Sequence, residues 1–359
     1  MLKIAYFVTP HGFGHAARSA AVMLALRRKL PQVEFEIFTT VPQWFFADSL
    51  SERLGYHCFA SDIGLVQKTP FNEDLPATIA ALDQFQKKAH SQIEDTVEMV
   101  RDQKCQLVVC DIAPLGIEAA KTAGLPVVLV ENFTWDFIYS GYNGSEPGFD
   151  PHIQRLKNIF RQADLHIQAA PVCQLDPSAV QVEPVARPPL TTREDVRKRL
   201  GLNLTDRVIL VTMGGIEEQY GARQALQQHK DYTFVLPGSA DRLLRDQNLI
   251  LLPHHNDFYH PDLVHASDAV IGKLGYSTVA EVYHAGVPFA YIPRPAFPET
   301  PSMAEFALKE MAAMELSYPD FLQGSWGDLP ERLLAAPKKQ HSSVNGADQI
   351  AAIILEKYG

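Results

Sequence analysis

The stretch Ala269–Glu299 reads AVIGKLGYSTVAEVYHAGVPFAYIPRPAFPE, and it predicts the fold of the chain's second half. It opens with a short apolar run of the kind found in buried parallel strands. A glycine-bearing loop at 272–275 follows, and either Ser277 or Thr278 can cap the next helix. A glycine ends that helix, and residues 287–292 form a second apolar run. The pattern is therefore strand, loop, helix, strand.

This unit predicts a site for a phosphorylated ligand. Unpaired N–H groups and the dipole at a helix N-terminus favour an anion, and Lys273 adds a cation. Glu281, one turn into the helix, is a suitable acceptor for the two hydroxyls of a ribose. We expect a nucleoside diphosphate, with its phosphates at 273–278 and its ribose at Glu281. The alternative is an ordinary α/β crossover with a polar loop.

The composition limits the class of protein. The 359 residues suggest about two domains, and a net charge of −10 without a basic stripe argues against a nucleic-acid partner. The four cysteines are scattered without a CxxC pair, which indicates reduced thiols. The chain has no apolar run of about 18 residues and enters a strand almost at once, so we expect neither a membrane span nor a signal peptide. A cytoplasmic location is therefore predicted.

A second glycine loop follows the first strand, Leu2–Val8. Its spacing, Gly12-x-Gly14-x-x-Ala17, is a variant of the dinucleotide-binding fingerprint. An NAD site would also need an acidic residue just after the second strand, and the sequence has Thr-Thr-Val there. The loop is therefore better explained by the histidine that it carries, His15.

The motif at residues 273–281, KLGYSTVAE, resembles the donor-binding signature of sugar-nucleotide glycosyltransferases of the GT-B architecture. Gly275, Tyr276 and Glu281 fall on the glycine, aromatic and glutamate of that signature. Lys273 departs from it, because plant members have a phosphate-contacting histidine there. The resemblance implies an α/β protein with two Rossmann-like domains whose parallel sheets face each other across a cleft.

Four segments resemble the glycosyltransferase-like N-terminal region of L-arabinokinases, in the same order and over almost the whole chain. They are PHGFGHAAR at 10–18, ENFTWDFIY at 131–139, HPDLVHASDAVIGKLGYSTVAE at 260–281, and the region of Arg294. No glycine-rich kinase loop accompanies them, so the resemblance implies a stand-alone GT-B protein and not a sugar kinase.

In the GT-B enzymes that this chain resembles, a Gly-His at the position of His15 supplies the general base. A histidine suits the removal of a proton from a sugar hydroxyl near neutral pH. Asp111 ends the predicted strand 106–111 and is the candidate partner that orients the imidazole. Since ligands of open α/β sheets bind at the carboxyl ends of strands, both side chains can reach one crevice. The alternative is that both residues only pack against or cap helices.

The remaining site residues are predicted from the resemblance and from their positions after strands. Phe133 and Trp135 are candidates for stacking on an acceptor sugar, with a core flap or a domain contact as the alternatives. The predicted donor site comprises Gly214, Gly215, Lys273, Gly275, Ser277 and Thr278 for the diphosphate, Glu281 for the ribose, Arg294 and Glu299 for the sugar, and His255 and Phe258 for the base.

No metal site is expected. The histidine-rich segment 253–265 does not have the spacing of known zinc sites, and the chain has no Asp-x-Asp pair with which other glycosyltransferases hold a divalent ion. Lys273 and the helix N-terminus would carry the charge of the diphosphate, and no cofactor is predicted.

The predicted domains are an acceptor domain at 1–170, a proline-rich linker at 171–190, a donor domain at 191–340, and a closing helix at 341–359 that packs back toward the first domain. The predicted function is that of an inverting, metal-independent glycosyltransferase, which moves a sugar from a nucleotide donor, expected to be a UDP-sugar, to a small-molecule or glycan hydroxyl. One alternative is a sugar-nucleotide binding or regulatory module without turnover. Another is an epimerase or hydrolase of sugar nucleotides on the same fold.

Overall fold

The computed structural model describes residues 2–50, 54–69, 72–213, 223–339 and 344–359. The chain divides into two compact units. Unit 1 comprises Met1–Ala186, Ala296–Glu299 and Val344–Gly359, and unit 2 comprises Arg187–Pro295 and Thr300–Ser343. Within the described ranges, none of the helices has the length and apolar character needed to cross a membrane.

Unit 1 is built on a parallel sheet of seven strands with helices in the crossovers. The strands of unit 1, of which β4 and β5 lie outside this sheet, are β1 Lys3–Val8, β2 Glu34–Thr39, β3 Leu54–Cys58, β4 Gln67–Thr69, β5 Asn72–Glu73, β6 Leu107–Asp111, β7 Val127–Glu131, β8 Leu165–Ala169 and β9 Val180–Val182. Its helices before residue 187 are α1 Phe13–Lys29, α2 Gln43–Ala47, α3 Leu75–Asp102, α4 Pro114–Ala123, α5 Trp135–Tyr142 and α6 Asp150–Phe160, with a 3₁₀ turn at Pro147–Phe149.

The strand order of the large sheet is β3-β2-β1-β6-β7-β8-β9, while β4 and β5 form a separate small hairpin. Strands β6 and β7 are buried along their full length, as expected when helices cover both faces of a parallel sheet. The order reverses between β1 and β6, and such a reversal opens a crevice at the carboxyl ends of the two strands.

Unit 2 repeats this plan. Its elements are α7 Arg193–Arg199, β10 Val208–Thr212, α8 Arg223–Gln228, β11 Thr233–Pro237, β12 Leu244–Asp246, β13 Leu249–Leu252, α9 His260–Ala266, β14 Ala269–Lys273, α10 Tyr276–Ala285, β15 Phe289–Ile292, α11 Thr300–Glu310, β16 Ala313–Glu315, α12 Tyr318–Gln323 and α13 Leu329–Ala335. The sheet order is β12-β13-β11-β10-β14-β15-β16, with only β12 antiparallel, and it reverses between β10 and β14.

The last helix, α14 Gly346–Tyr358, belongs to unit 1 and packs against α1. The boundary between the units falls inside the segment 171–190, which was predicted to be a linker. Part of that segment is folded instead, because β9 pairs with β8 and extends the sheet of unit 1. Its three residues are too few to show a strand period among the surrounding prolines.

Two helices end before the helical pattern of their sequence does. Residues 42–54 have such a pattern, but α2 ends at Ala47 and Leu54 already lies in β3. Residues 303–314 have it too, but α11 ends at Glu310 and Met314 lies in the edge strand β16. In both cases tertiary pairing with a neighbouring strand overrides the local helical pattern.

Candidate functional site

His15 and Asp111 lie at the point in unit 1 where the strand order reverses. Asp111 is the last residue of β6, and His15 lies in the first turn of α1, directly after the loop that follows β1. Gly12 is the N-cap residue of α1 and has φ of 74°, in the left-handed region that favours glycine. The imidazole Nδ1 lies 2.8 Å from Oδ1 of Asp111, and both side chains are buried.

The structure adds a buried arginine that the sequence analysis missed. Arg18 Nε donates to Oδ2 of Asp111 at 2.8 Å, and its Nη2 donates to Oδ1 at 2.6 Å. Its Nη1 donates to Oδ1 of Asn132 at 2.5 Å, and Asn132 Nδ2 donates to Glu299 at 2.9 Å. A continuous network thus runs from His15 to Glu299 inside unit 1. Because Arg18 follows His15 by three residues on one helix, their proximity could have been read from the sequence.

The network determines the tautomer of His15. Burial alone raises the pKa of Asp111, but the charge and hydrogen bonds of Arg18 and the bond from His15 outweigh it and hold that pKa below its usual value. An ionised carboxylate only accepts, so Nδ1 carries the proton and donates to Asp111. Arg18 Nη2, 3.1 Å from Nδ1, therefore makes no hydrogen bond to it. The other ring nitrogen, Nε2, is left as the basic atom.

The backbone beside Asp111 is strained. Ile112 is fully buried and has φ of 46°, a conformation that a β-branched residue rarely adopts. Such strain persists only where the surroundings hold it, and it is concentrated at functional sites.

A second carboxyl group lies near the histidine. Asp62 is buried and accepts hydrogen bonds from Thr9 Oγ1 at 2.8 Å and from Trp135 Nε1 at 3.2 Å. Burial raises the pKa of Asp62 to about 7, and the two hydrogen bonds only partly oppose this shift. Trp135, which donates to Asp62, has its ring centre 6.4 Å from that of the His15 imidazole. The sequence analysis did not identify Asp62.

The two aromatic acceptor candidates are core residues in this structure. Phe133 and Trp135 are only 4% and 1% exposed, so neither presents an open ring face to a sugar. They instead pack next to the histidine: Phe133 contacts the imidazole edge-on, with 5.5 Å between the ring centres. The core flap, which was the alternative interpretation, describes them better.

In unit 2, Lys273 is the last residue of β14 and α10 begins three residues later. Gly275 is the N-cap residue, and no side chain caps the helix, so the prediction that Ser277 or Thr278 does so is wrong. The chain enters the helix earlier than predicted, and both residues lie in its first turn. Gly272 belongs to β14 and not to the loop, and a Cβ there would meet the backbone of Thr212 on β10.

Glu281 is held by protein groups that the sequence did not indicate. Arg187 Nε donates to its Oε1 at 3.0 Å, and His260 Nδ1 lies 2.7 Å from its Oε2. Burial raises the pKa of Glu281, but the charges of Arg187 and His260 outweigh burial and lower it. A ribose would have to use the remaining lone pairs of a carboxylate that already has two partners.

The other predicted donor residues lie in different surroundings. Gly214 and Gly215 fall outside the described residues. His255 is exposed, and Phe258 has the guanidinium of Arg199 over its ring at 4.5 Å, which occupies one stacking face.

The two predicted donor-sugar residues belong to different units. Arg294 is buried in unit 2, whereas Glu299 is buried in unit 1. The bond from Asn132 described above accounts for the position of Glu299, whose carboxylate is held by the protein itself. Among the residues that the structure describes, no group of three or more His, Cys, Asp or Glu side chains could hold a metal ion.

Comparison with known proteins agrees with this fold. Residues 2–138 match the family model described as glycosyl transferase family 1. L-arabinokinase from Arabidopsis thaliana is 29% identical over 365 residues, covering 99% of this chain and 34% of that protein. The chain thus spans about a third of the length of that relative.

Solved structures of similar fold match over nearly the whole chain. A UDP-glucosyltransferase from Polygonum tinctorium superposes with a TM-score of 0.63 at 13% identity, covering 99% of this chain and 98% of the other. MurG from Acinetobacter baumannii superposes with a TM-score of 0.57 at 18% identity, covering 99% of this chain and 100% of the other. The glycosyltransferase SnogD from Streptomyces nogalater superposes with a TM-score of 0.58 at 19% identity, covering 100% of both chains.

These matches confirm the predicted α/β fold with two Rossmann-like units and the predicted resemblance to glycosyltransferases and L-arabinokinase. The protein therefore has the GT-B fold of glycosyltransferases, and its residues 2–138 match the family model described as glycosyl transferase family 1.

Proposed function

We propose that the protein is an inverting glycosyltransferase that moves a sugar from a UDP-sugar to a hydroxyl acceptor, with His15 as the general base. The observation that carries this proposal is the 2.8 Å contact between His15 Nδ1 and the buried carboxylate of Asp111. A buried imidazole with a fixed tautomer, at the carboxyl ends of two strands, is suited to proton abstraction.

In the proposed reaction the acceptor hydroxyl gives its proton to Nε2 of His15 while its oxygen attacks the anomeric carbon. The bond from that carbon to the diphosphate breaks on the opposite face, which inverts the anomeric configuration. Asp111 stabilises the imidazolium, and Arg18 holds Asp111 in place. The departing diphosphate is stabilised by Lys273 and by the N–H groups in the first turn of α10.

The choice of UDP is supported by proteins of the same fold. One solved structure is a transferase from Siraitia grosvenorii in complex with UDP, and another is UGT2 from Phytolacca americana with UDP-2-fluoro-glucose and pterostilbene. We further propose that transfer needs no metal and no cofactor, because Lys273 can neutralise diphosphate charge and the sequence lacks an Asp-x-Asp pair. Turnover that persists in EDTA is the expected result, and its loss with recovery on adding magnesium would refute metal independence.

The test compares His15→Ala with the wild type in a panel of nucleotide sugars and acceptors, with free nucleotide as the readout. Turnover should fall by about a hundredfold or more, the usual contribution of a general base, while UDP binding persists. His57→Ala is the matched control, because His57 also contacts a buried carboxylate of the same sheet, Glu36, at 2.7 Å. A folded His15→Ala variant that transfers at the wild-type rate would show that the mechanism is wrong.

The similarity to L-arabinokinase favours one second candidate, a sugar-nucleotide binding module without turnover. That candidate predicts UDP-sugar binding that depends on Lys273 and Glu281 and is indifferent to His15. Release of free nucleotide without any acceptor would indicate hydrolysis instead.

A further inference from the structure

Unit 2 contains an open cavity of about 450 Å³ at the amino ends of its parallel strands. Four lining residues each come directly before a strand: Arg207 before β10, Tyr232 before β11, Asp268 before β14 and Pro288 before β15. Helix α13 and the segment that follows it also line the cavity. Its volume is in the usual range of small-molecule sites, roughly 300–1,000 Å³. Since ligands of open α/β sheets bind at the carboxyl ends of the strands, this cavity is separate from the proposed diphosphate site.

Two of the three carboxylates that line the cavity are held by the protein. Asp268 Oδ1 accepts from Arg193 Nη2 at 2.5 Å, and its Oδ2 accepts from Arg197 Nη2 at 2.8 Å. Asp206 Oδ2 accepts from the N–H of Asn203 at 2.8 Å. These two carboxylates therefore do not need a donor from a ligand.

The third carboxylate, that of Glu331, and the guanidinium of Arg207 both interact with the buried side chain of Tyr232. Burial raises the pKa of the Tyr232 hydroxyl, the charge and hydrogen bond of Glu331 add to this effect, and those of Arg207 oppose it. The guanidinium carbon of Arg207 lies 6.0 Å from the centre of the Tyr232 ring. The three side chains thus form one cluster beside the amino ends of β10 and β11.

The two basic groups that line the cavity, Lys338 and Arg207, form no ion pair with any carboxylate in the described part of the chain. Both residues are exposed, so a ligand can reach them. Partial burial and the charge of Arg193 lower the pKa of Lys338. Arg197 acts in the same direction, and together the two arginines outweigh the opposing charge of Asp268. The surroundings of the Lys338 ammonium are therefore positive, which favours an anion.

We propose that this cavity binds a phosphate monoester through Lys338 and Arg207. A phosphate group carries a charge of about −1.5 to −2 at pH 7, which matches the two cations, and a planar guanidinium can hold two of its oxygens at once. The cavity is larger than a phosphate group alone, and Leu334 and Pro288 provide apolar surface for the organic part of the ester. Among the described residues, none of the groups assigned to the transfer reaction lines this cavity, so the site does not depend on the proposed function.

Calorimetric titration with inorganic phosphate, glycerol 3-phosphate and phenyl phosphate tests the proposal. The full chain is used with Lys273→Ala as the background, so that phosphate binding at the proposed donor site does not contribute. At least one ester should bind, and adding Lys338→Met should weaken that binding about tenfold or more, because a charge-assisted hydrogen bond is lost while the aliphatic stem is kept. Lys339→Met is the matched control and should leave the affinity unchanged, since Lys339 donates to the carbonyl of Lys309 and does not line the cavity.

Arg207→Gln provides a second variant in the same background. It removes the other cation and should weaken binding by several-fold. Failure of both esters to bind, equal affinity in Lys338→Met and its parent, or an equal loss in Lys339→Met would overturn the proposal. Inorganic phosphate that binds as tightly as either ester would overturn the assigned ligand class. These titrations do not measure sugar transfer, so failure of this proposal is distinguishable from failure of the proposed function.

Discussion

The carboxylate of Asp111 accepts hydrogen bonds from three side chains, those of His15, Arg18 and Ser19. Its Oδ1 contacts His15 and Arg18, its Oδ2 accepts from Arg18, and the side chain has no exposed surface. Because its pKa is lowered, the stability that it contributes is present above its unfolded pKa and is lost as the pH falls through the folded value. At neutral pH it is therefore a permanent negative charge, which the guanidinium compensates.

We predict that Arg18→Ala strongly destabilises the protein. The substitution leaves the buried charge of Asp111 with hydrogen bonds from His15 and Ser19 but without the guanidinium that compensates it. Removal of one partner of a buried ion pair costs roughly 3–5 kcal/mol. Urea denaturation measures the loss. Arg28→Ala is the control on the same helix: its ion pair with Asp348 is exposed, and its removal should cost about 1 kcal/mol or less. Similar losses in the two variants would contradict the role assigned to Arg18.

Asp62 should make stability depend on pH near neutrality. Its folded pKa, about 7, lies above that of the unfolded chain, so the folded state holds a proton that the unfolded state has released. Stability should therefore fall as the pH rises from about 4 to about 7, by on the order of a few kcal/mol, and then level off.

The test is Asp62→Asn, which keeps an acceptor for Thr9 or Trp135 and cannot ionise. As the pH rises through this range, the free energy of unfolding of the variant should increase relative to that of the wild type. Glu94→Gln, an exposed carboxyl on α3, should follow the wild-type curve. Parallel curves for Asp62→Asn and the wild type would show that Asp62 does not hold the proton.

At the scale of elements, the first turn of α14 packs against residues 183–186, which belong to the same unit. Gly346 N donates to the carbonyl of Pro184 at 3.1 Å, and the Asn345 side chain bonds both the N–H and the carbonyl of Ala186. A Cβ at Gly346 would overlap the carbonyl oxygen of Glu183. The helix thus depends on a close backbone approach that only glycine permits.

We predict that Gly346→Ala loosens α14 and lowers stability by roughly 1–3 kcal/mol, the usual cost of overpacking. Hydrogen exchange of the α14 amides should accelerate relative to those of β6. Gly144→Ala serves as control, because a Cβ there meets nothing within 4 Å and the backbone needs no left-handed conformation. Unchanged exchange in α14 would contradict this docking.

At the scale of the whole molecule, the groups proposed to bind the donor and the base belong to different compact units. A ligand that binds only the folded state raises the unfolding temperature, by an amount set by its concentration and affinity. UDP should therefore raise the unfolding midpoint of the wild type. Lys273→Ala should lose most of this shift, and His15→Ala should keep it, because Lys273 is in unit 2 and His15 in unit 1. A shift that is lost in His15→Ala and kept in Lys273→Ala would reverse the assignment of the two residues.

The local signals of the sequence predicted the alternation of strands and helices, and the resemblance of residues 273–281 to GT-B glycosyltransferases implied two Rossmann-like domains. Apolar runs of strand length, glycines after strands and helical periods recur along the chain, and Thr192, three residues before Asp195, caps α7. The short edge strands β9 and β16 were missed, because three residues carry no clear period and only the neighbouring strand makes them strands.

The partners of the site residues depend on the folded chain and could not be predicted from local sequence. Arg18, Asn132 and Glu299 form one network although they are far apart in sequence, and Arg187 reaches Glu281 across 94 positions. Such pairs carry no mark in the local sequence, since any buried charge can be compensated by a group from any part of the chain. The burial of Phe133 and Trp135 has the same cause, because packing around them, and not residue type, decides whether an aromatic ring faces a ligand.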